Sequence, residues 1–291
     1  MKRNPFGSLL LVPVLLTTSV IVQPQEPSFT VVSIKPFDKA VPGQVFDVVI
    51  DGINSGATPV VIPATDFKIE VSQDGITQTA KVRIVKSTMI PEANPKRPSR
   101  SAITFSGRQF WAYQAVSFVV PQGLHPGPAE VTASYQGQRG NTISMKIVEK
   151  PLKPLVGTTS VLAVGSMPSD RTPTRIEGND FGWRLERGAT ARISVRPMVD
   201  PDDPNSAVLI RFKQGGNEYE AVTRIKSTPA QIEERGRGVG FFAPHEELEV
   251  DVPAALMLGK ADVEIRVKAN GQVSDAVNIV ATIIDIEKHR R

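Results

Sequence analysis

The chain has 291 residues, 40% hydrophobic and 22% charged, with 24 prolines, 22 glycines and no cysteine. These are globular values with abundant turn formers, which argues for many short strands and against long helices. The net charge of +4 falls to about +2 once Lys2 and Arg3 are set aside, too little to imply nucleic-acid binding. The lack of cysteine excludes thiolate metal sites, a cysteine nucleophile and a lipid-modified N-terminal cysteine.

Residues 1–28 open with Lys2 and Arg3, then run through a mostly apolar stretch interrupted by Pro13 and a polar Thr17–Ser19. The stretch is short for a bilayer span of about 20 residues. It reads as a cleavable secretory leader, with an uncleaved N-terminal anchor as the alternative. The expectation is an exported protein (periplasmic, cell-surface or secreted) with no membrane span in the mature chain.

Strands are then expected at residues 30–34, 45–50, 67–71, 81–85, 117–120, 129–135 and 142–148. A second set is expected at 160–164, 191–195, 208–212, 221–225, 248–252, 261–267 and 276–284. Where the period can be read it is two. In "VTASY", Val131, Ala133 and Tyr135 share one face; in "VEIRV", Val263, Ile265 and Val267 alternate with Glu264 and Arg266. Successive strand side chains point to opposite sides, so each such strand has one buried and one wet face.

The two sets are copies. "VPQGLHPGPAEV" (120–131) returns as "VPAALMLGKADV" (252–263). "IEVSQDG", "RIVKST" and "GQRGNTI" return in the same order as "IRFKQGG", "TRIKST" and "GQVSDAV". Matches that keep their order and drift by a few residues are a duplicated domain with loop insertions and deletions. Within the repeated dozen, Pro121 and Pro253 stand where pairing stops. Leu124 and Leu256 plug the end of a core, and Gly127 and Gly259 permit a turn that a Cβ would obstruct. The segment is a sandwich corner.

The span from that corner through the final strand of each copy resembles the C-terminal half of an immunoglobulin-like domain of the IPT/TIG type. "SIKPFDKAVPGQVFDVVIDG" resembles that family's opening strand, Pro-Gly turn and second strand; the second copy lacks the Pro-Gly pair. The resemblance implies an all-β fold of two tandem immunoglobulin-like β-sandwiches after a signal segment. The divisions are a leader at 1–28, sandwiches at 29–150 and 151–286, and a basic tail at 287–291. Between the copies, "EKPLKP" has two prolines in four residues and reads as an extended, fairly stiff spacer. Residues 29–150 carry +4 and residues 151–285 carry −3. The difference draws the copies together, orients neighbouring chains, or is ordinary solvated surface.

Chemistry is sparse. "HEELE" (245–249) has Glu249 where a zinc protease needs its second histidine, and its alternation is that of a strand. "RGRGVG" (235–240) is followed by Phe241, Phe242 and Pro244, a poor helix start for a phosphate loop. No Gly-x-Ser-x-Gly or Ser-x-x-Lys occurs. "DPDDPN" clusters oxygens at Asp200, Asp202 and Asp203, which reads either as a turn or as calcium ligands, the sole cofactor candidate. "PEANPKRPSR" (91–100) is an insertion of the first copy carrying Lys96, Arg97 and Arg100, either a docking loop for an anionic glycan or acidic partner or a solvated loop. Trp111, Tyr113 and Trp183 are either flat platforms for a glycan or core aromatics. The expected function is non-catalytic binding or scaffolding of an envelope or extracellular protein or glycan, through loops and sheet edges. The alternatives are a carbohydrate-binding module and a periplasmic assembly chaperone that uses a strand edge.

Overall fold

The computed structural model describes residues 29–35, 38–53, 62–91, 102–105, 108–164, 183–227, 232–234 and 246–285. The first half holds β1 (Thr30–Lys35), β2 (Lys39–Ala40), β3 (Gln44–Asp51), β4 (Phe67–Gln73), β5 (Ile76–Pro91), β6 (Ala102–Phe105), β7 (Arg108–Val119), β8 (Gly127–Tyr135) and β9 (Gln138–Ile147). The second holds β10 (Leu155–Val164), β11 (Trp183–Glu186), β12 (Thr190–Arg196), β13 (Met198–Val199), β14 (Ala207–Gln214), β15 (Asn217–Glu220) and β16 (Val222–Ser227). It continues with β17 (Ile232–Glu234), β18 (Glu246–Asp251), β19 (Gly259–Ala269), β20 (Gln272–Val273) and β21 (Val277–Ile284). The fold is an all-β sandwich, and each of the fourteen expected strands overlaps an observed one.

Both halves use one topology. In the first, β1-β3-β7-β5 lie side by side, and β5 continues into the second layer as β5-β4-β8-β9-β2. In the second, the layers are β10-β12-β18-β16 and β11-β21-β19-β14-β15. Position for position these are the same orders, and they are the two layers of an immunoglobulin-like sandwich. Even the parallel edge pair recurs, as β2 with β9 and β11 with β21. The main difference is in β5. Its residues 76–80 pair with β4 and its residues 81–91 with β7. The second half breaks the same path at Ala221 into β15 and β16.

Alternation holds in β19, where Val263, Ile265 and Val267 are buried between more exposed neighbours. It fails in β3 and β7. Phe46, Val48 and Ile50 face the first core, yet Val45, Asp47 and Val49 on the opposite side are also buried. Tyr113, Ala115, Ser117 and Val119 of β7 are buried with them. These two strands therefore have no wet face over the residues named. The reason is visible in "VFDVVI" and "AVSFVV", near-continuous apolar runs that mark strands covered on both faces. The polar pair within this face satisfies itself, the Ser117 hydroxyl donating to Asp47 Oδ1 at 2.5 Å.

The repeated corner has the same internal wiring in both copies. Gln73 Nε2 donates to the carbonyls of His125 (2.7 Å) and Pro128 (3.3 Å), and its Oε1 accepts the His125 N–H (3.0 Å). Gln214 does likewise, donating to Met257 (2.9 Å) and Lys260 (3.0 Å) and accepting from the Met257 N–H (2.7 Å). Leu124 and Leu256 are buried beneath it. The turn before β3 also recurs. Gly43 N–H donates to Val120 and Val120 N–H to Gln44, just as Gly188 donates to Val252 and Val252 to Ala189, each at 2.9 Å. Gly43 and Gly188 take φ of 83° and 74°, a region costly for any residue with a Cβ. Arg187-Gly188 thus does in the second copy what Pro42-Gly43 does in the first.

Removing either glutamine leaves two carbonyls and one N–H of its corner without their side-chain partner, at about 1–3 kcal/mol for each such group that stays buried. Gln73 is 6% exposed and Gln214 more so. Gln73→Ala is therefore expected to lower the urea unfolding midpoint more than Gln214→Ala, with both below the parent chain.

Candidate functional site

The site lies at the seam between the halves. It begins with apolar contact: Val41, Val45 and Val119 of the first half belong to the same buried cluster as Met198, Val199 and Val208 of the second. Strand β13 adds itself antiparallel to β3, Met198 opposite Val45 and Val199 opposite Gln44. The next N–H, of Asp200, donates to the Gly43 carbonyl at 3.1 Å. The connector is packed as well, since Pro151 and Pro154 are buried and Val148 touches the second core. The segment read as an extended, fairly stiff spacer is thus packed into the seam.

Charge completes the joint. The β5–β7 ladder slips between Val82 and Ile84, so Arg83 stands at a bulge, a device that re-aims a side chain. Its guanidinium donates to Asp200 Oδ1 at 3.1 Å and, through Nε, to Glu246 Oε1 at 2.8 Å; Nη2 also reaches that Glu246 oxygen. The side chains of Arg83 and Glu246 are 9% and 1% exposed. Lys81 donates to both oxygens of Asp200 at 3.1 Å and to Asp202 at 2.5 Å. Cations come from the positive half and carboxylates from the negative half, so part of the charge difference is spent on drawing the copies together.

Beside the joint is an open groove of about 840 Å³ lined by both halves. Gln78, Thr79 and Gln122 come from the first half, Asp202, Asn205 and Asn270 from the second. Its charges are already engaged. Lys81's hydrogen bond holds the Asp202 carboxyl below the usual carboxylate range, and Asp202 raises Lys81 in return. The Ser206 hydroxyl, at 2.6 Å, and the Asn205 N–H hold the Asp203 carboxyl low. What the groove offers a ligand is amides and a hydroxyl, groups that both donate and accept.

The candidates from sequence are scattered. Asp200, Asp202 and Asp203 come together in the turn after β13, but Asp200 and Asp202 face Lys81 and Arg83, and Asp203 caps its own turn. Among the described residues no group of three or more His, Asp and Glu side chains gathers as a metal ion would need. Lys96, Arg97 and Arg100 lie outside the described residues, as do His245, His289 and residues 235–240. Trp111 is on β7, opposite Ile90 and Ala102. Tyr113 is 1% exposed and packs with Val49 and Ala115. It is a buried residue and not a surface platform, because β7 is covered on both faces. Trp183 opens β11 and packs partly buried on the second core. Sequence reasoning missed Lys81, Arg83 and Glu246, and only the opposite charges of the halves hinted at them. No helix among the described residues is long and apolar enough to cross a membrane.

No protein-family model matches the sequence and no curated protein matches it. Among solved structures, the chain is similar to SGBP-B of the Bacteroides ovatus mixed-linkage glucan utilization locus, in complex with a mixed-linkage heptasaccharide. Identity is 11% and the TM-score 0.33, over 86% of this chain and 45% of that one. It is similar to domains 5–6 of the S-layer protein SbsC, with 12% identity and TM-score 0.24 over 89% and 99% of the two chains. It is also similar to the C-terminal domain of the Streptococcus agalactiae AgI/II polypeptide BspA, with 11% identity and TM-score 0.21 over 88% and 99%. With all three scores below 0.5, the fold assignment rests on the strand orders above.

Two outcomes follow from the joint. Arg83→Ala removes a charge partner from the buried Glu246 and is expected to destabilise the chain by about 3–5 kcal/mol, whereas Arg83→Met with Glu246→Leu restores most of that loss, as read from urea unfolding. The low carboxyls of Asp202 and Asp203 stabilise the fold above their unfolded pKa of about 3.9, and that stability is lost as pH falls through their lower folded values. Raised Lys81 contributes below its unfolded pKa of about 10.4 and loses its contribution as pH rises through the higher folded value. The thermal midpoint is thus expected to be level between about pH 5 and pH 9 and to fall on both sides.

Proposed function

We propose that the chain is a non-catalytic binding or scaffold protein, exported and acting at the cell envelope or outside the cell, whose two sandwiches form one stiff body. The observation that carries this reading is the joint. Shared apolar core, an added strand and a buried ion pair hold two modules in one register, and a spacer or presenting scaffold needs such fixed geometry. The basic start and apolar stretch within residues 1–28 support export. The common wiring of the two corners supports their origin by duplication, and the resemblance of the repeated segments to IPT/TIG-type modules is what suggests that kinship. The basic insertion with Lys96, Arg97 and Arg100 remains the candidate contact for an anionic glycan or acidic partner. Fractionation tests the reading: the chain is expected in the envelope or extracellular fraction with a co-purifying partner. Recovery only from the cytoplasm would sink it.

A carbohydrate-binding role is the second reading, favoured by the groove. Amides and hydroxyls that donate and accept match sugar hydroxyls, and interfaces of this kind stay wet without being weak. Calorimetric titration with neutral oligosaccharides is expected to show saturable binding that Gln122→Ala with Asn270→Ala weakens at least tenfold. Binding lost instead on Trp111→Ala or Trp183→Ala would move the site to those aromatics. No heat with any glycan would remove the carbohydrate reading and leave the scaffold reading standing.

A further inference from the structure

The identical register of the halves allows their matching ends to be compared residue by residue. With Gly43 and Val120 set on Gly188 and Val252, the ladder places Val45 where the second half has Thr190, and Val119 where it has Asp251. Lys81 then stands where the second half has Val222, Ile84 where it has Arg224, and Ser117 where it has Glu249.

The backbones agree and the surfaces are opposite. Val45 and Val119 are buried in the cluster they share with the second half, and Ile84 and Ser117 are buried too. At the positions matching Ile84 and Val119, the side chains of Arg224 and Asp251 are 49% and 40% exposed, while Val222, 61% exposed, matches Lys81, whose side chain is itself 46% exposed. The charges there are satisfied on their own sheet. Thr190's hydroxyl donates to Asp251 at 2.8 Å, and both terminal nitrogens of Arg224 donate to Asp251 at 2.6 Å. Arg192 and Lys226 pair with Glu249 at 3.2 and 3.4 Å. Seating another sandwich on this end would strip water from these charges and return little apolar contact.

We infer that the joint is directional and closed. The corner end of the first sandwich is an acceptor for a sandwich end that brings an apolar strand and carboxylates; the corner end of the second is a polar cap. A head-to-tail contact that does not close otherwise propagates into open fibres, and arrays of repeats end in a unit with a polar outer face for this reason. The cap makes the joined pair a finished unit that does not extend through copies of itself.

Sedimentation velocity on the full chain tests this, from low micromolar to several hundred micromolar at physiological salt. The parent chain is expected to sediment as one monomeric species throughout. The triple variant Thr190→Val, Asp251→Val, Arg224→Ile removes the Arg224 and Asp251 charges of the cap and leaves it apolar beside Val222, and is expected to self-associate cap against cap as concentration rises. Asp251→Val alone, with a weaker shift, serves if the triple variant does not fold. Head-to-tail growth of the parent chain overturns the inference. So does a variant with a native circular dichroism spectrum that stays monomeric at every concentration.

Discussion

The arrangement depends on one guanidinium crossing one seam. Arg83 belongs to the first sandwich by sequence, but its hydrogen-bond acceptors, Asp200 and Glu246, belong to the second. A charge this well buried is tolerable only with its partners in place, so the pairing specifies one relative placement of the two bodies. The bulge at Arg83 is what permits it. In unbroken alternation the residue would have to join either the core face or the outer face of its sheet, and the slip frees it to point across the seam.

Around that contact the two sandwiches share apolar surface as well as charge. Val41, Val45 and Val119 lie in the second core's cluster, and β13 extends the first half's sheet. The conserved wiring of the two copies and the divergence of their outer faces have different causes. The glutamine clamp and the glycine turn solve a problem internal to each sandwich, so both copies keep them. The outer faces answer to different surroundings, one covered and the other wet, so Val119 and Asp251 stand at the same place in the same ladder.

Much of the fold was legible in the sequence because strands such as β19 alternate along their length and because the corner recurs in order in both copies. The short edge strands were not legible. Two to four residues, as in β2, β11, β13 and β20, have no period to detect, and tertiary contacts alone create them. The second half's opening looked deviant for want of a Pro-Gly pair, yet Arg187-Gly188 makes the same turn, since the constraint is the positive φ and not the proline. The joint was hidden for a different reason. "KVRIVKST" shows no sign that its register slips at Arg83, and Glu246 sits in "HEELE", which reads as an ordinary exposed strand. The run "VFDVVI" is that of a strand covered on both sides, a signal the sequence reading does not use, so Tyr113 stays open there between platform and core.

The central claim is that the seam makes two duplicated sandwiches behave as one cooperative body. The chain has two tryptophans, Trp111 in the first half and Trp183 in the second, so each half can report its own unfolding. Urea titrations of Trp183→Phe and Trp111→Phe, each followed by the fluorescence of the remaining tryptophan and by circular dichroism, compare the halves directly. The account predicts, for each variant, a fluorescence transition that coincides with loss of all strand signal. A half that melts well before the rest, leaving the other sandwich folded, would contradict it.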